Sequence, residues 1–336
     1  MRRATRRVSL RSVRLLRALA LAASCALALP ALAKDTGLVF ISAEKSNAIF
    51  AFDPRTNAIV RTIETAKRPR DLHLSADRTK LYVACGDADA IQVIDLTRFA
   101  VERTIAVGAS PETFVLDEKR GRLYVASEDD GELVIVDLAS GRRLGAVKTG
   151  PEPEGVAMAP DGASVFVTSE TDSVVHKIDL EGARIVASLP AGVRPRRFAL
   201  TPDGNELWVS AELSGEVHVI DIATFASKGV VSFLPPGMRK TDVTPVGLAM
   251  APDGRTAWVS LGRASHVAQV DVATRKVLGY VLTGQRPWGL ALSRDGARLY
   301  VANGLSDDVT IVDTRARRAV TSIAAGRTPW GAVIDD

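Results

Sequence analysis

The sequence predicts an all-β protein, a seven-bladed β-propeller whose blades are four-stranded antiparallel sheets. Apolar runs of strand character end in an aspartate that recurs at intervals of 42 residues, with one interval of 50: Asp53, Asp95, Asp137, Asp179, Asp221, Asp271 and Asp313. No stretch shows a helical period of useful length. A repeat of about 40–45 residues that contains only strands and turns is typical of propeller blades.

The first 33 residues have the three parts of a secretory signal peptide. They contain seven arginines and no acidic residue, an apolar run at residues 18–29 and a small-residue cleavage site at residues 31–33. The apolar run is too short for a bilayer-spanning helix, which needs about 20 residues. We therefore expect export to the periplasm without a membrane anchor, with the general secretory route favoured over the twin-arginine route. The propeller should then occupy residues 34–336.

Charge and cysteine content exclude some classes of function. The basic pI of about 9.2 comes from the arginines of the first 33 residues, and the remaining chain is slightly acidic. We therefore expect no nucleic-acid partner. After cleavage only Cys85 remains, so the mature chain, which we expect to be a monomer, cannot form an internal disulfide.

Each repeat contains four strand candidates, and the fourth repeat shows the pattern clearly. Its candidates are residues 153–159, 165–169, 174–178 and 183–189. The Pro-Asp-Gly sequence at residues 160–162 separates the first two, because aspartate caps such a turn and glycine takes its positive φ. The same turn chemistry recurs at residues 202–204, 252–254 and 294–296.

One aromatic residue per repeat is predicted to carry the packing between blades. These residues stand thirteen positions before each closing aspartate: Phe40, Tyr82, Tyr124, Phe166, Trp208, Trp258 and Tyr300. A buried aromatic side chain contributes a large apolar area, and its truncation costs about 3–5 kcal/mol. We interpret this set as structural rather than as a ligand cage.

The order of strands at the two termini predicts how the ring closes. A proline precedes the first strand of each repeat: Pro69, Pro111, Pro153, Pro195, Pro245, Pro287 and Pro329. The mature chain starts with a second strand, residues 38–42, and ends after a first strand, residues 330–334. We therefore expect the C-terminal strand to pair with the N-terminal strands, which removes the exposed sheet edges of an open array. The one insertion, residues 228–243, is either a functional loop or a tolerated surface loop.

The repeats resemble a known family. Tyr82-Val-Ala, Tyr124-Val-Ala and Tyr300-Val-Ala, each followed by a strand ending in Ile-Asp or Val-Asp, resemble the YVTN family of β-propeller repeats. The last copy, residues 286–313, resembles the propeller proteins associated with PQQ-dependent alcohol catabolism. That resemblance implies an exported protein that accompanies a quinoprotein dehydrogenase and a transporter. The wider superfamily includes the haem-binding propeller of nitrite reductases, but the Cys-x-x-Cys-His haem motif is absent.

The residues that follow the prolines give a candidate ligand site at the channel mouth. Ring closure would make Trp288, Trp330 and Arg70 neighbours, with Glu112 and Glu154 on the opposite arc. The candidate set adds three arginines of the same region: Arg196, Arg286 and Arg327. Two indoles beside guanidinium groups could bind a flat anionic ligand such as PQQ, or the surface of a protein partner. The alternative is that the tryptophans only plug the channel.

The search for a catalytic constellation finds none along the sequence. His73 replaces the alanine or valine of the other repeats on a channel-lining strand, and we interpret it as a hydrogen-bonded core histidine. His176 and His218 share a register, but no third zinc ligand accompanies them. The acidic loops between second and third strands, which include Glu128, Glu170 and Glu212, are interpreted as a solvated ring.

These observations lead to two functional hypotheses. The first is an exported, non-enzymatic accessory protein of periplasmic PQQ-dependent alcohol catabolism, without a bound cofactor. It would bind a quinoprotein dehydrogenase, a transporter component or a small anionic ligand. The alternative is a metal-dependent lactonase or hydrolase whose metal would need converging Glu, Asn and Asp ligands. Glu112 and Glu154 are available for it, but no asparagine accompanies them.

Overall fold

The computed structural model describes residues 35–336, which form seven four-stranded antiparallel sheets. The innermost strand of each sheet contacts the innermost strands of its two neighbours, so the sheets close into a ring around a central channel. The predicted seven-bladed β-propeller is therefore confirmed. The predicted signal peptide, residues 1–33, lies outside the described residues.

The 28 strands follow one another in the order that the repeats predict. Blade 1 contains β1 (Leu38–Ala43), β2 (Ala48–Asp53), β3 (Ala58–Glu64) and the last strand of the chain, β28 (Pro329–Asp335). Blade 2 contains β4 (Pro69–Leu74), β5 (Lys80–Cys85), β6 (Ala90–Asp95) and β7 (Ala100–Ala106). Blade 3 contains β8 (Pro111–Asp117), β9 (Arg122–Ser127), β10 (Glu132–Asp137) and β11 (Arg143–Lys148).

The remaining blades repeat this plan. Blade 4 contains β12 (Pro153–Met158), β13 (Ser164–Ser169), β14 (Val174–Asp179) and β15 (Arg184–Pro190). Blade 5 contains β16 (Pro195–Leu200), β17 (Glu206–Ala211), β18 (Glu216–Asp221) and β19 (Ala226–Ser232). Blade 6 contains β20 (Pro245–Met250), β21 (Thr256–Leu261), β22 (His266–Asp271) and β23 (Val277–Leu282). Blade 7 contains β24 (Pro287–Leu292), β25 (Arg298–Asn303), β26 (Asp308–Asp313) and β27 (Arg318–Ala324).

Helical structure in the described part of the chain is limited to single 3₁₀ turns. They lie at Glu44–Ser46, Gly86–Ala88, Lys240–Asp242 and Gly262–Ala264. No helix within residues 35–336 is long and apolar enough to cross a membrane.

The aromatic side chain of each repeat packs between two blades, as predicted. Trp208 of blade 5 lies in one apolar cluster with Ala257 and Val259 of blade 6, and Phe40 of blade 1 lies with Val83 of blade 2. All seven aromatic residues are buried, and the most exposed of them, Tyr82, has only 6% of its surface accessible. Cys85 is also buried, and burial raises the pKa of its thiol to about 12.

The last strand closes the ring. β28 pairs antiparallel with β1, and Val39 lies opposite Ile334. The extreme N-terminal residues described also bind this strand, because the backbone N–H of Thr36 donates to Asp335 Oδ2 over 2.6 Å. The predicted pairing of the C-terminal strand with the N-terminal strands is therefore confirmed.

Buried hydroxyl groups join neighbouring blades near the channel. The innermost strands have an irregular register just after the proline, which takes backbone N–H groups out of the ladder. In blade 6, Ser260 Oγ accepts the N–H of Gly247 at 2.7 Å and donates to the carbonyl of Trp288 in blade 7, also at 2.7 Å. The same position supplies the equivalent hydroxyls of three other blades: Ser42, Thr168 and Ser210. We call these four residues the bridging hydroxyls.

The insertion at residues 228–243 packs onto the propeller. Phe233 and Val243 are buried in the apolar cluster between blades 5 and 6. The N–H of Leu234 donates to the Tyr280 hydroxyl over 3.0 Å. The segment contributes no residue to the lining of the central cavity described below, so it extends the core rather than the site.

Candidate functional site

Seven innermost strands surround the channel: β4, β8, β12, β16, β20, β24 and β28. Each starts with a proline, so their residues can be compared by counting from it, with the residue after the proline as position 1. Position 1 lies at the end of the channel that carries the acidic loops, which we call the charged end. Position 5 lies at the other end.

The charged end is closed on one side by buried ion pairs. Arg70, at position 1 of β4, binds both Glu44 and Glu112. Glu112 has no accessible side-chain surface and also accepts a hydrogen bond from Arg68 at 2.6 Å. The expected separation of Arg70 from Glu112 onto opposite arcs is therefore wrong, because the two side chains meet directly.

Further ion pairs close the other side of the charged end. Arg196 lies 2.6 Å from Glu170 and 3.3 Å from Glu154. Arg286 reaches Glu212, two blades away, at 2.9 Å. The interpretation of the acidic loops as a solvated ring is wrong for Glu170 and Glu212, whose side chains are 1% and 4% exposed. They face inward because the arginines of neighbouring blades neutralise them.

The pKa values of two buried carboxyl groups at the charged end shift in opposite directions. Burial raises the pKa of Glu154, but Arg196, Arg197 and other nearby arginines outweigh burial and hold it at about 2. Burial and the negative charge of Glu154 together raise the pKa of Glu170 to about 7, despite the adjacent Arg196.

The two tryptophans of the predicted ligand site meet at the charged end. The rings of Trp288 and Trp330 are in edge contact, with centroids 6.3 Å apart. The guanidinium carbon of Arg70 lies 5.2 Å from the Trp330 ring, and that of Arg286 lies 5.9 Å from the Trp288 ring. The structure thus brings these four predicted residues together.

The other two predicted residues lie apart from this group. Arg196 belongs to the ion pairs on the far side of the channel. The Arg327 side chain is exposed, and its backbone N–H donates to Ser46 Oγ over 2.8 Å. The predicted role of all six residues in binding an anionic ligand or a protein partner stays a prediction.

Below the charged end, the channel contains a cavity of about 180 Å³ that residues of all seven innermost strands line. Trp288, Trp330 and Val246 form its closed end. Position 1 is buried in four of the seven strands, while position 5 is partly exposed in every strand except β28. The cavity is therefore accessible from the end opposite the charged end.

An aspartate–histidine pair lies on the wall of this cavity. Asp71 and His73 are two residues apart on β4, so their side chains point to the same side of the strand. His73 Nε2 lies 3.0 Å from Asp71 Oδ2, and the imidazole packs edge-on against Phe114. The His73 side chain is 40% exposed. It is hydrogen-bonded as expected, but the interpretation as a core residue is wrong, because it faces the open cavity.

Opposing effects act on the pKa of Asp71. Burial raises it, whereas the charge and hydrogen bond of His73, the charge of Arg197 and the backbone N–H of Phe114 lower it. The net result is that the pKa of Asp71 is lowered. Asp71 is therefore an ionised acceptor that can fix the ring orientation of His73 and stabilise its protonated form.

Arg197 crosses the channel. It extends from β16 of blade 5, and its guanidinium carbon lies 4.0 Å from the ring centre of Trp330 in blade 1. Its Nη2 lies 3.3 Å from Glu154 Oε1. Trp330 is 3% exposed, and its indole N–H has no hydrogen-bond acceptor within the described residues. Arg197 and Trp330 thus meet at the wall of the cavity, where the indole N–H is a buried donor without a partner among the described residues.

The sequence analysis missed Asp71 and Arg197. Both stand at position 2, where β12, β20, β24 and β28 have glycine. A Cβ atom at these glycines would overlap the carbonyl oxygen at position 1 of the next blade. Large polar residues at a position that mostly excludes side chains were the signal that could have revealed the site.

Metal-binding groups were also expected for the hydrolase hypothesis. Within residues 35–336, no group of three or more His, Cys, Asp or Glu side chains is arranged to hold a metal ion. The chemistry available in the cavity is that of an imidazole paired with a carboxylate, beside a guanidinium and an indole N–H.

Two protein families match parts of the chain. Residues 148–323 match the family described as "Lactonase, 7-bladed beta-propeller". Residues 21–168 match the family described as "YNCE-like beta-propeller". These matches support a propeller-repeat family, and neither description names the PQQ-associated subtype. No curated protein matches the chain in sequence.

Solved structures similar to this one share its fold at low sequence identity. Hydrazine synthase of Kuenenia stuttgartiensis is 21% identical, with a TM-score of 0.75 over 83% of this chain and 93% of that chain. A putative 6-phosphogluconolactonase from Bacteroides fragilis is 17% identical, with a TM-score of 0.75 over 89% and 98%. A putative 6-phosphogluconolactonase from Bacteroides uniformis is 15% identical, with a TM-score of 0.74 over 88% and 98%.

These findings correct the first functional hypothesis. A non-enzymatic accessory protein of PQQ-dependent catabolism is contradicted by the lactonase match, which favours the hydrolase alternative. The error has a physical origin. Candidate groups were sought as sequence motifs or metal ligands, whereas the channel brings together side chains of blades 1, 2 and 5.

Proposed function

The chain belongs to the family of seven-bladed β-propeller lactonases, and from this premise we propose that it hydrolyses the ester bond of a lactone in its central cavity. The observation that carries the proposal is the Asp71–His73 pair, which lies in an accessible cavity with Arg197 and Trp330. An imidazole oriented by a carboxylate is a common general base for acyl transfer to water.

The proposed reaction uses these four side chains and one water molecule. His73 takes a proton from the water as its oxygen attacks the carbonyl carbon of the lactone. Asp71 stabilises the imidazolium that forms. Arg197 and the Trp330 indole N–H donate hydrogen bonds to the negative charge that develops on the carbonyl oxygen, the role of an oxyanion hole.

The second half of the reaction returns the proton. The tetrahedral intermediate collapses and breaks the bond between the carbonyl carbon and the ring oxygen. His73 gives its proton to the departing alkoxide, so the product is an open-chain hydroxy acid and the imidazole is neutral again. No group outside the cavity and no external oxidant or reductant is needed for this balance.

The size of the cavity limits the reacting part of the substrate. Its volume of about 180 Å³ is below the ~300–1,000 Å³ of ordinary ligand pockets. We therefore propose that a single five- or six-membered ring occupies it.

The test measures the hydrolysis of a panel of lactones. Hydrolysis is monitored as the release of protons at constant pH. The panel contains unsubstituted, alkyl-substituted, sugar and phosphosugar lactones. The last are included because two structural neighbours carry the description putative 6-phosphogluconolactonase. We expect His73→Asn to lower kcat by about 10²–10⁴-fold, the usual contribution of a general base.

The matched control is His266→Asn. His266 is a partly buried histidine of β22 that hydrogen-bonds the Ala264 carbonyl and does not line the cavity. This variant should retain wild-type kcat. Equal rates in wild type and His73→Asn, or no lactone hydrolysed above the uncatalysed rate, would contradict the proposal.

A further inference from the structure

We infer that the substrate is a lactone with an alkyl chain, which enters by the end of the channel opposite the charged end. This inference rests on the proposed function and adds the class of substrate and its route. It follows from which end of the channel is open, from the chemistry of that end and from a groove that continues from the cavity.

The charged end is filled largely by buried ion pairs. Glu112 and Glu154 are 0% and 2% exposed, and their partners Arg70 and Arg196 are 13% and 11% exposed. Trp330, at the same level, is 3% exposed. Opening this end would separate several buried ion pairs, which is strongly unfavourable when one partner is left unpaired.

The open end is lined by aliphatic side chains. Position 5 of six innermost strands carries a partly exposed leucine or methionine: Leu74, Leu116, Met158, Leu200, Met250 and Leu292. We call this set the aliphatic rim. Position 4, one residue deeper, is alanine or valine in every strand except β4, where it is His73. The hydroxyl groups of a sugar lactone would meet mainly aliphatic side chains at the rim itself, where losing water without a hydrogen-bond partner is unfavourable.

A groove gives the alkyl chain a place to bind. It has a volume of about 410 Å³ and runs along blades 2 to 4, where Leu74, Leu116 and Met158 line it beside the charged residues 117–120. His73 lines both this groove and the central cavity. A lactone ring beside His73 can therefore extend its chain over the aliphatic rim into the groove. Burial of alkyl groups against such side chains is favourable in proportion to the area removed from water.

The first experiment measures kcat/KM for δ-lactones whose ring carries an alkyl chain of zero to eight carbons. We expect kcat/KM to rise about fourfold per fully buried methylene until the groove is filled. Glucono-δ-lactone and its 6-phosphate, tested in parallel, should be poorer substrates than the alkyl lactones. The alkyl lactones differ from one another only in chain length. The dependence of kcat/KM on chain length therefore isolates the contribution of apolar contacts.

Variants of the rim locate the binding surface. Met158→Gln and Leu116→Gln keep the side-chain volume but add a polar group, and either should flatten the dependence of kcat/KM on chain length. Two independent positions keep the test valid if one variant fails to fold. Leu305→Gln is the matched control, because Leu305 is 69% exposed and lies in the loop between β25 and β26 at the charged end. It should leave the slope unchanged.

Binding without turnover separates the two proposals. Lactams of the same chain lengths, titrated into the His73→Asn variant by calorimetry, should show the same rise in affinity with chain length. Faster hydrolysis of the sugar or phosphosugar lactones, or a flat chain-length series, would overturn this inference and leave the proposed function intact. Chain-length-dependent lactam binding without hydrolysis of any lactone would overturn the proposed function, and with it the substrate assignment, and leave only the alkyl-binding groove.

Discussion

At the scale of single residues, the arginines of the charged end have two distinct roles. Arg70 and Arg196 neutralise buried glutamates, which leaves them little capacity for an anionic ligand. Arg197, the next residue along β16, also reaches the cavity and the Trp330 ring. Arg196 and Arg197 both reach Glu154 at 3.3 Å, so Arg197 belongs to the ion pairs of the charged end and also lines the cavity.

Glu170 should make stability depend on pH. Its pKa of about 7 in the folded protein is above the ordinary value of 4.5, so the folded protein retains this proton to higher pH than the unfolded chain does. The unfolding free energy should therefore decrease between about pH 4.5 and pH 7, by about 3 kcal/mol for this group. In Glu170→Gln this decrease should disappear, as measured by chemical denaturation at pH 5 and pH 8.

The control for this comparison is Glu152→Gln, a change at an exposed glutamate of the same end of the propeller. It should follow the wild-type pH dependence. Because Glu170 is protonated at pH 5, the neutral Glu170→Gln variant should be close to wild type in stability there and more stable than wild type at pH 8. Parallel pH curves for wild type and Glu170→Gln would show that this carboxyl is ionised throughout the range.

The structural role of residues that recur in every repeat could be predicted from the sequence. The role of residues that deviate from the repeat could not. Phe40 and its six equivalents could be predicted to be buried, because an apolar position that recurs in every repeat of a propeller packs in the core between blades. The pairing of Arg286 with Glu212 could not, because it joins blades 5 and 7 across the channel. Likewise, the proposed role of Asp71 and His73 could not be predicted, because it depends on a cavity formed by seven strands that are distant in sequence.

At the scale of the strands, the bridging hydroxyls explain how sheets with irregular inner strands stay in register. Each one satisfies an N–H group released by the irregular register in its own blade and a carbonyl of the next blade. The position is serine or threonine in four blades and alanine in the others: Ala84, Ala126 and Ala302. In blade 3 the Thr113 hydroxyl makes a similar link, donating to the carbonyl of Glu154 at 2.5 Å.

Removing one bridging hydroxyl should lower the free energy of unfolding, although the substitution deletes a single oxygen atom. Ser260→Ala leaves the Gly247 N–H and the Trp288 carbonyl without this partner in a buried location. We expect a loss of about 1–3 kcal/mol of unfolding free energy, the usual cost of an unsatisfied buried polar group. Denaturant unfolding measures it. Ser227→Ala, at an exposed serine of β19, should change stability by less than about 0.5 kcal/mol, and an equal effect of the two variants would contradict the role assigned to Ser260.

At the scale of the whole molecule, stability depends on one strand that is distant in sequence from its partners. β28 pairs with β1 and also contacts β24 and β4, so it links blade 1 to both neighbouring blades. Repeat proteins gain most of their stability from contacts between neighbouring units. Within the described residues, the β28–β1 pairing joins the two ends of the strand order, and an apolar cluster of Phe52 with Tyr300 and Val309 adds to the contact between blades 1 and 7.

Truncation should therefore unfold the ring cooperatively. Deletion of residues 327–336 removes β28 and exposes the edge of β1, so we expect little soluble protein and no cooperative thermal transition at the wild-type temperature. Deletion of Asp336 alone removes only the hydrogen bond from the Arg294 N–H and keeps β28. This shorter deletion should melt close to wild type. A ten-residue truncation that melts at the wild-type temperature would show that closure does not limit stability.

The same closure sets the order in which the protein can fold. Of the strands in residues 35–336, β1 comes first along the chain, yet the strand that covers its inner edge, β28, comes last. Contacts between residues so far apart in sequence form slowly, because the chain must lose the entropy of a very long loop. Until synthesis ends, blade 1 presents an unpaired edge to any other extended chain. We therefore expect a chain that lacks β28 to pair this edge with other chains and to aggregate more readily than the closed ring.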